Sequence, residues 1–189
     1  MDFEEDLRNS LKIFKEGGVI LYPTDTVWGL GCDATNAVPV NKIYTIKLRS
    51  DSLSLIILVD GEQMLERYVR DIPEIAFELI EVSDTPLTII YPAGKNLAKG
   101  VCSDDGSVGI RICRDEFCRE LIKRFRKPIV STSANISGNP FPPIFGDIDR
   151  RVIDSADYVV EHRQKERQKH SASPVIKVEP NGVIRVIRH

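Results

Sequence analysis

The chain has 189 residues, 42% of them hydrophobic, which is enough to bury one good core. Its 26 basic and 28 acidic side chains give a formal charge of −2, so there is no global basic field of the kind that draws nucleic acid. Four widely spaced cysteines and three histidines form no metal-ligand pattern, and the longest apolar run, Leu55 to Val59, is far short of a membrane span. The acidic start MDFEEDL lacks the basic segment of a secretory signal. The expectation is a cytoplasmic, soluble chain with no membrane partner, with reduced and mostly packed thiols, organised as one domain over residues 1–189.

Phe3, Leu7, Leu11 and Phe14 recur at helical spacing, with Asp2 placed to cap the start and Gly17-Gly18 to end the helix. Val19 to Tyr22 then reads as a buried strand. It breaks at Pro23 into the polar turn Thr24, Asp25, Thr26 and runs on to Gly29 and Gly31. Asn36 caps a second helix through Val40, Ile43 and Ile46, which delivers Lys47 and Arg49 at its C-terminal end. Leu55 to Asp60 reads as a strand. Two short helices follow, around Met64–Tyr68 and Ile75–Ile80, separated by Pro73.

Pro86 to Tyr91 and Val108 to Cys113 read as strands. Asp115 caps a helix carrying Phe117, Leu121, Ile122 and Phe125, which Lys127-Pro128 ends. Next comes PIVSTSANISG, a strand running into hydroxyls. A short helix is expected within 147–156 and a strand over Ala156–Val160. Glu161 to His170 reads as a solvated loop, and Val175 to Arg188 as a hairpin about Asn181-Gly182. Helices and strands interleave, so the fold class is α/β, a twisted mixed sheet with flanking helices.

Three groups of residues bear on chemistry. Lys47 and Arg49 either complement a helix dipole or, with the small polar run Ser50, Asp51, Ser52 and Ser54, wrap an anion. Arg111 shares a face with Gly109 and is bounded by isoleucines. It belongs to an edge strand facing water, or it snorkels, or it meets an anion. Ser131, Thr132, Ser133 and Asn135 follow apolar Ile129-Val130 and suit a ribose, a phosphate or an amino acid, or simply a helix cap and turn. Trp28 could stack on a base or sit in the core. No Walker A segment occurs, and Gly29-Leu30-Gly31 is not a dinucleotide fingerprint. A bound nucleotide would therefore be held by Lys and Arg side chains rather than by a glycine cradle.

Taken together, YPTDTVWGLG at Tyr22–Gly31, Lys47-x-Arg49 and STSANISG at Ser131–Gly138 resemble the YrdC family of threonylcarbamoyl-AMP synthases, as do VGIRIC and PLTIIYPAG. The likeness runs from about Leu7 to Arg188 and to the short, single-domain type. It implies a concave, positively lined cavity and the formation of threonylcarbamoyl-AMP and pyrophosphate from L-threonine, bicarbonate and ATP. Mg²⁺ is implied on the departing pyrophosphate. The product would go to a downstream tRNA-modifying threonylcarbamoyl transferase. The family's Lys/Arg/Ser/Asn set falls on Lys47, Arg49, Ser133 and Asn135. The resemblance places threonine contacts on Thr24, Arg111 and Ser131, and nucleotide contacts on Ser107 and Arg188 besides the set.

The sequence departs from the family at Leu53 and Leu58, where Asn and His often stand. It also departs at Phe141, where a nucleotide-contacting Ser is frequent, and at Pro174 within a Ser-Thr-Val pattern. Two alternatives remain. One is an RNA-binding module of the same fold, including weak double-stranded RNA binding through Lys123, Arg124, Arg126, Lys127 and the Arg163–Lys169 stretch. The other is a nucleotide-binding paralogue without this synthase activity.

Overall fold

A computed structural model describes residues 2–48 and 55–189. The expectations resting on Arg49, Leu53 and the polar run from Ser50 to Ser54 lie outside the described residues. Helix α1 (Phe3–Lys15) carries Glu4, Glu5 and Asp6 in its first turn and Lys12 and Lys15 in its last, complementing its dipole at both ends. Asp2 stands at the cap position, but its side chain makes no capping bond; its carbonyl takes the amides of Glu5 and Asp6. Gly17 then adopts φ +75°, which ends the helix.

The apolar opening stretch becomes β1 (Ile20–Tyr22), and the polar turn brings the chain straight back as β2 (Gly29–Gly31). This second strand has too few side chains to show any alternation in the sequence. Its two glycines are needed because the Tyr22 ring lies across them: a Cβ on Gly31 would sit 2.5 Å from Tyr22 Cε1. Helix α2 (Ala37–Ile46) is capped by Asn36, which accepts from the Val38 amide, and Lys47 follows as its C-cap. Then come β3 (Ile56–Val59), α3 (Glu62–Tyr68), α4 (Glu74–Val82), β4 (Thr88–Tyr91) and β5 (Val108–Ile112). Asp115 caps α5 (Glu116–Phe125) by accepting from Cys118 N; Arg126 at φ +62° closes it, ahead of Lys127-Pro128. The chain ends with β6 (Ile129–Ser133), α6 (Arg150–Ser155), β7 (Tyr158–Val159), β8 (Val175–Val178) and β9 (Ile184–Arg188).

The strands form one mixed sheet in the order β7-β1-β2-β6-β3-β5-β4-β8-β9. The fold is therefore α/β with a mixed sheet and flanking helices. Residues paired across neighbouring strands share a face. One face thus carries Tyr22, Gly29 and Ser133 on one side, then Ser131, Ile56, Gly109 and Ile90. Leu58 with Arg111 and Thr88 with Val175 and Arg188 lie on it too. The opposite face turns Ile89, Tyr91, Ile110 and Ile112 toward Ile80 of α4. One face is thus committed to packing and the other presents polar groups. β5 lies between β3 and β4, so the edge-strand reading of Arg111 does not hold.

One further expectation needs correction in part, and one open choice is decided. Glu161 to His170 is a loop with Glu161, Lys165, Arg167, Gln168 and Lys169 exposed, but it is tied down rather than free in solvent. Its backbone amides at 161 and 162 bond the fully buried Asp6 carboxylate, and the His162 ring stacks on Phe117. Trp28 is a core residue against Phe145, with ring centres 4.8 Å apart. The four cysteines are free thiols, three of them buried, and burial pushes the thiols of Cys32 and Cys118 well up. Among the described residues no helix is long and apolar enough to cross a membrane.

Candidate functional site

The C-terminal end of α2 meets the end of β6. Lys47 is buried, and its ammonium donates to Ser133 O at 2.5 Å, Asn135 O at 2.8 Å and Asn135 Oδ1 at 3.1 Å. The Ser133 hydroxyl donates to the same Asn135 Oδ1 at 2.6 Å, and Asn135 Nδ2 donates to Asn139 O. In return, the Lys47 carbonyl takes the Ser137 amide. A helix that ends in a cation and a strand that ends in hydroxyls are thereby fastened together. Burying an ammonium is costly unless its donors are met, and here oxygen acceptors of the β6 end meet them.

Beside this junction, over the polar face of the sheet, lies a cavity of about 230 Å³. Gly29, Ile56, Arg111, Ser131, Ser133 and Arg188 line it from the strands. Thr26, Phe141, Ala172 and Ser173 add walls from loops. The volume is below the roughly 300–1,000 Å³ of drug-sized ligand clefts, so it matches a small solute or one end of a larger one. Gly109 does not open this space. A Cβ there would meet Ile56 Cγ2 at 3.0 Å, so the room left by the glycine goes to the Ile56 side chain.

Arg111 is the charged centre of the cavity wall. Its Nη2 lies 2.9 Å from Asp25 Oδ1, and the two side chains are only 3% and 9% exposed. The contact is close but not aligned as a hydrogen bond: Asp25 Oδ1 and Arg111 Nε are both buried without a hydrogen-bond partner. Nη1 reaches Ser173 Oγ at 3.4 Å. Asp25 offsets the buried charge while leaving guanidinium donors unspent. Arg188 donates Nε and Nη2 to the Ser173 carbonyl, and burial together with the nearby Arg111 charge lowers its pKa. Ser173 is a residue that sequence reasoning passed over as a site candidate. Its hydroxyl also bonds Thr88 Oγ1 at 2.8 Å, so it links both arginines to β4. Only its neighbour Pro174, noted as a departure, drew attention to this position.

The structure thus brings Lys47, Ser133, Asn135, Arg111, Ser131 and Arg188 to one region. Two expected residues sit further off. Thr24 Oγ1 is engaged within its own turn, donating to Val27 O at 2.8 Å and accepting from Thr26 N; Thr26, not Thr24, lines the cavity. Ser107 lies before β5 on the polar face, and it holds the Asp105 carboxyl below its usual range. Arg49 lies outside the described residues. Leu58 is fully buried, paired with Arg111 across the sheet, and does not line the cavity, whereas Phe141 does.

Some cations of the expected RNA surface are engaged in ion pairs. Arg124 pairs with Glu4 and Glu120, Lys127 with Asp33, and Arg163 with Asp115 and Glu166. For Mg²⁺, the described residues contain no cluster of three His, Cys, Asp or Glu side chains able to hold a metal, and the cavity lining has no carboxylate. The described residues do not themselves fit the ion.

Against known proteins, residues 12–189 match the family model Sua5_yciO_yrdC, described as "Telomere recombination". A threonylcarbamoyl-AMP synthase of Psychromonas ingrahamii is 38% identical over 137 residues, covering 71% of this chain and 72% of that protein. The P. abyssi Sua5 structure complexed with L-threonine superposes with a TM-score of 0.86 at 25% identity. It covers all of this chain, which spans only 54% of that protein's length. E. coli YciO shares the fold, with a TM-score of 0.84 at 20% identity, over 100% of this chain and 90% of its own.

Proposed function

Because the chain belongs to the Sua5/YciO/YrdC family, we propose that it is a nucleotidyltransferase. In this reading it makes threonylcarbamoyl-AMP and pyrophosphate from L-threonine, bicarbonate and ATP, for threonylcarbamoyladenosine formation in tRNA. The observation that carries the reading is the convergence of Lys47, Ser133 and Asn135 beside a cavity walled by Arg111, Ser131 and Arg188.

The chemistry asks for positioning and charge neutralisation more than for an acid or base. Threonine's amine takes up CO₂, derived from bicarbonate, and loses a proton to give a carbamate. A carbamate oxygen then attacks the α-phosphorus of ATP, and the bond to the bridging oxygen breaks to release pyrophosphate. Both reactants are anions, so fixed cations and N–H or O–H donors lower the barrier by holding them together. Arg111, with unspent donors, takes the threonine carboxylate, and Ser131 beside Gly29 contacts the amino acid. Thr24 contributes by shaping the turn that carries Thr26. The role read for Lys47 and Arg49 is to hold the phosphates and the carbamate, while Ser133 and Asn135 orient the nucleotide. Ser107 and Arg188 complete the nucleotide contacts, and the triphosphate extends out of the cavity, which is too small to enclose it. Mg²⁺ bound to the substrate's own phosphates would supply further charge neutralisation there, with no ligand from the cavity lining.

The test is incorporation of isotopic bicarbonate into an AMP-linked product with and without threonine. Label that enters only with threonine present, with pyrophosphate released in equal amount, supports the reading. Nucleotide turnover indifferent to threonine would mark a paralogue of other activity.

A further inference from the structure

The stretch from Glu161 to Ser173 crosses between two ends that are both tied down. At its start, the amides of residues 161 and 162 bond the Asp6 carboxylate at 3.1 and 2.8 Å. At its far end, Ala172 and Ser173 form part of the cavity wall, and Ser173 contacts Thr88, Arg111 and Arg188. Between them sits Arg163, in the left-handed region at φ +66°. Its side chain is 21% exposed. The guanidinium bonds three separate pieces of chain: Nη1 donates to Thr24 O at 3.1 Å and to Asp115 Oδ2 at 2.8 Å, and Nε donates to Glu166 Oε2 at 2.7 Å.

We propose that Arg163 is a positioning residue for the amino-acid end of the cavity, an inference that rests on the functional reading above. It does not line the cavity. It lines an adjacent cleft of about 10 Å³, room for no more than about one water, so it acts through other residues. One route runs through the Thr24 carbonyl to the turn in which the Thr24 and Thr26 hydroxyls lie 3.0 Å apart, and Thr26 lines both cleft and cavity. The other runs through Glu166 along the strap to Ser173, the partner of Arg111. A planar fork with donors in fixed directions can hold a backbone carbonyl and two carboxylates at once, whereas a single ammonium cannot match that geometry.

The test compares wild type with R163M and R163K, using two readouts. The first is amide exchange at Thr26, whose N–H bonds Thr24 Oγ1, and at Thr88, whose N–H bonds Pro174 O; Val130, bonded to Cys32 O in the core, serves as control. In R163M the Thr26 and Thr88 amides exchange about tenfold faster or more while Val130 is unchanged. The second readout is the split of Michaelis constants. The KM for threonine rises about fivefold or more in R163M while that for ATP stays within about twofold. R163K recovers only part of either effect. Unchanged exchange at both amides overturns the inference, as does an equal shift in both KM values. A wild-type protein with no threonine-dependent pyrophosphate release sinks the functional reading instead, and the exchange comparison then decides the role of Arg163 by itself.

Discussion

The Lys47 ammonium lies 3.1 Å from the Asn135 side-chain oxygen across 88 residues of sequence, and the same ammonium bonds the carbonyls of Ser133 and Asn135. These bonds hold the end of β6 against the end of α2. Lys47 is therefore structural as well as a candidate for binding phosphate, and an incoming anion must exchange with one of these acceptors. Lys47→Met removes charge-assisted hydrogen bonds worth about 1.5–3 kcal/mol each at most, and partial relaxation should leave a net loss of about 2–4 kcal/mol. At roughly 2–4 °C per kcal/mol for a chain of this size, the thermal midpoint should fall by about 4–16 °C. Below that midpoint, threonine-dependent pyrophosphate release should drop by about a hundredfold or more. A variant that keeps full turnover would remove Lys47 from the site.

Arg111 gives a sharper separation of substrates. Its close contact to Asp25 leaves guanidinium donors unspent, and a carboxylate that takes two of them in parallel needs the planar fork. Arg111→Lys keeps a charge near Asp25 but loses the fork. Initial-rate measurements should show the threonine KM raised about tenfold or more and the ATP KM changed by less than about threefold. Equal changes in both would count against a threonine-carboxylate contact. Arg111→Met should be much harder on the fold, because it leaves the Asp25 carboxylate buried without its cation at a cost of about 3–5 kcal/mol.

The order of elements was legible where helices carry their own start and stop chemistry. Asn36 and Asp115 cap α2 and α5 as their positions before apolar periodic runs imply, and Asn181-Gly182 makes the final turn, with Gly182 at φ +81°. What stayed hidden depends on contacts far apart in sequence. β2 is three residues, two of them glycine, and is a strand only because Tyr22 and β6 flank it. Glu161 to His170 looks like solvent-facing charge, yet a buried Asp6 and a stacked His162 hold it in place. Ser173 had no local signal, since its importance lies in meeting Arg111, Arg188 and Thr88 from other strands. Motif order named Lys47, Ser133, Asn135 and Arg111 as candidates, but could not show that Thr24 spends its hydroxyl on its own turn.

Acid sensitivity can be traced to a particular tie. Asp157 accepts from the Val19 amide at 2.8 Å and pairs with Lys42, joining the start of β1 to α2. Burial alone would raise its pKa, but the Lys42 and Val19 hydrogen bonds outweigh burial and hold it below the usual value. A carboxyl whose folded pKa is depressed adds stability above its unfolded value, about 3.9, and loses it as pH falls through the folded value. Asp157→Asn should therefore melt below wild type at pH 7, and the gap should close as pH falls below about 3.9. Lys42 and Asp157 are 39% and 36% exposed, so solvent screens the pair and the gap should be only a few degrees. A gap constant across that range would assign the effect to shape instead of charge.

Gly29 and Gly31 share one three-residue strand but answer to different neighbours, so the same substitution should give different phenotypes. A Cβ on Gly31 would stand 2.5 Å from Tyr22 Cε1 and 2.9 Å from the Val130 carbonyl. The ring is fully buried and the carbonyl belongs to β6, so neither can give way cheaply. Gly31→Ala should cost about 1–3 kcal/mol, as overpacked cores do, read as a lower denaturation midpoint with an unchanged slope. A Cβ on Gly29 would meet Ser131 Oγ and the Thr132 carbonyl at 3.3 Å each, so the hydroxyl can rotate away and the backbone need give by only a few tenths of an ångström. Gly29 also lines the cavity, and Ser131 is the side chain pushed aside. Gly29→Ala should therefore keep the fold within about 1 kcal/mol and raise the threonine KM instead. Matched denaturation and kinetic curves for the two variants decide the point: a Gly29→Ala protein that unfolds like Gly31→Ala would place that glycine in the packing of the sheet and not in the wall of the cavity.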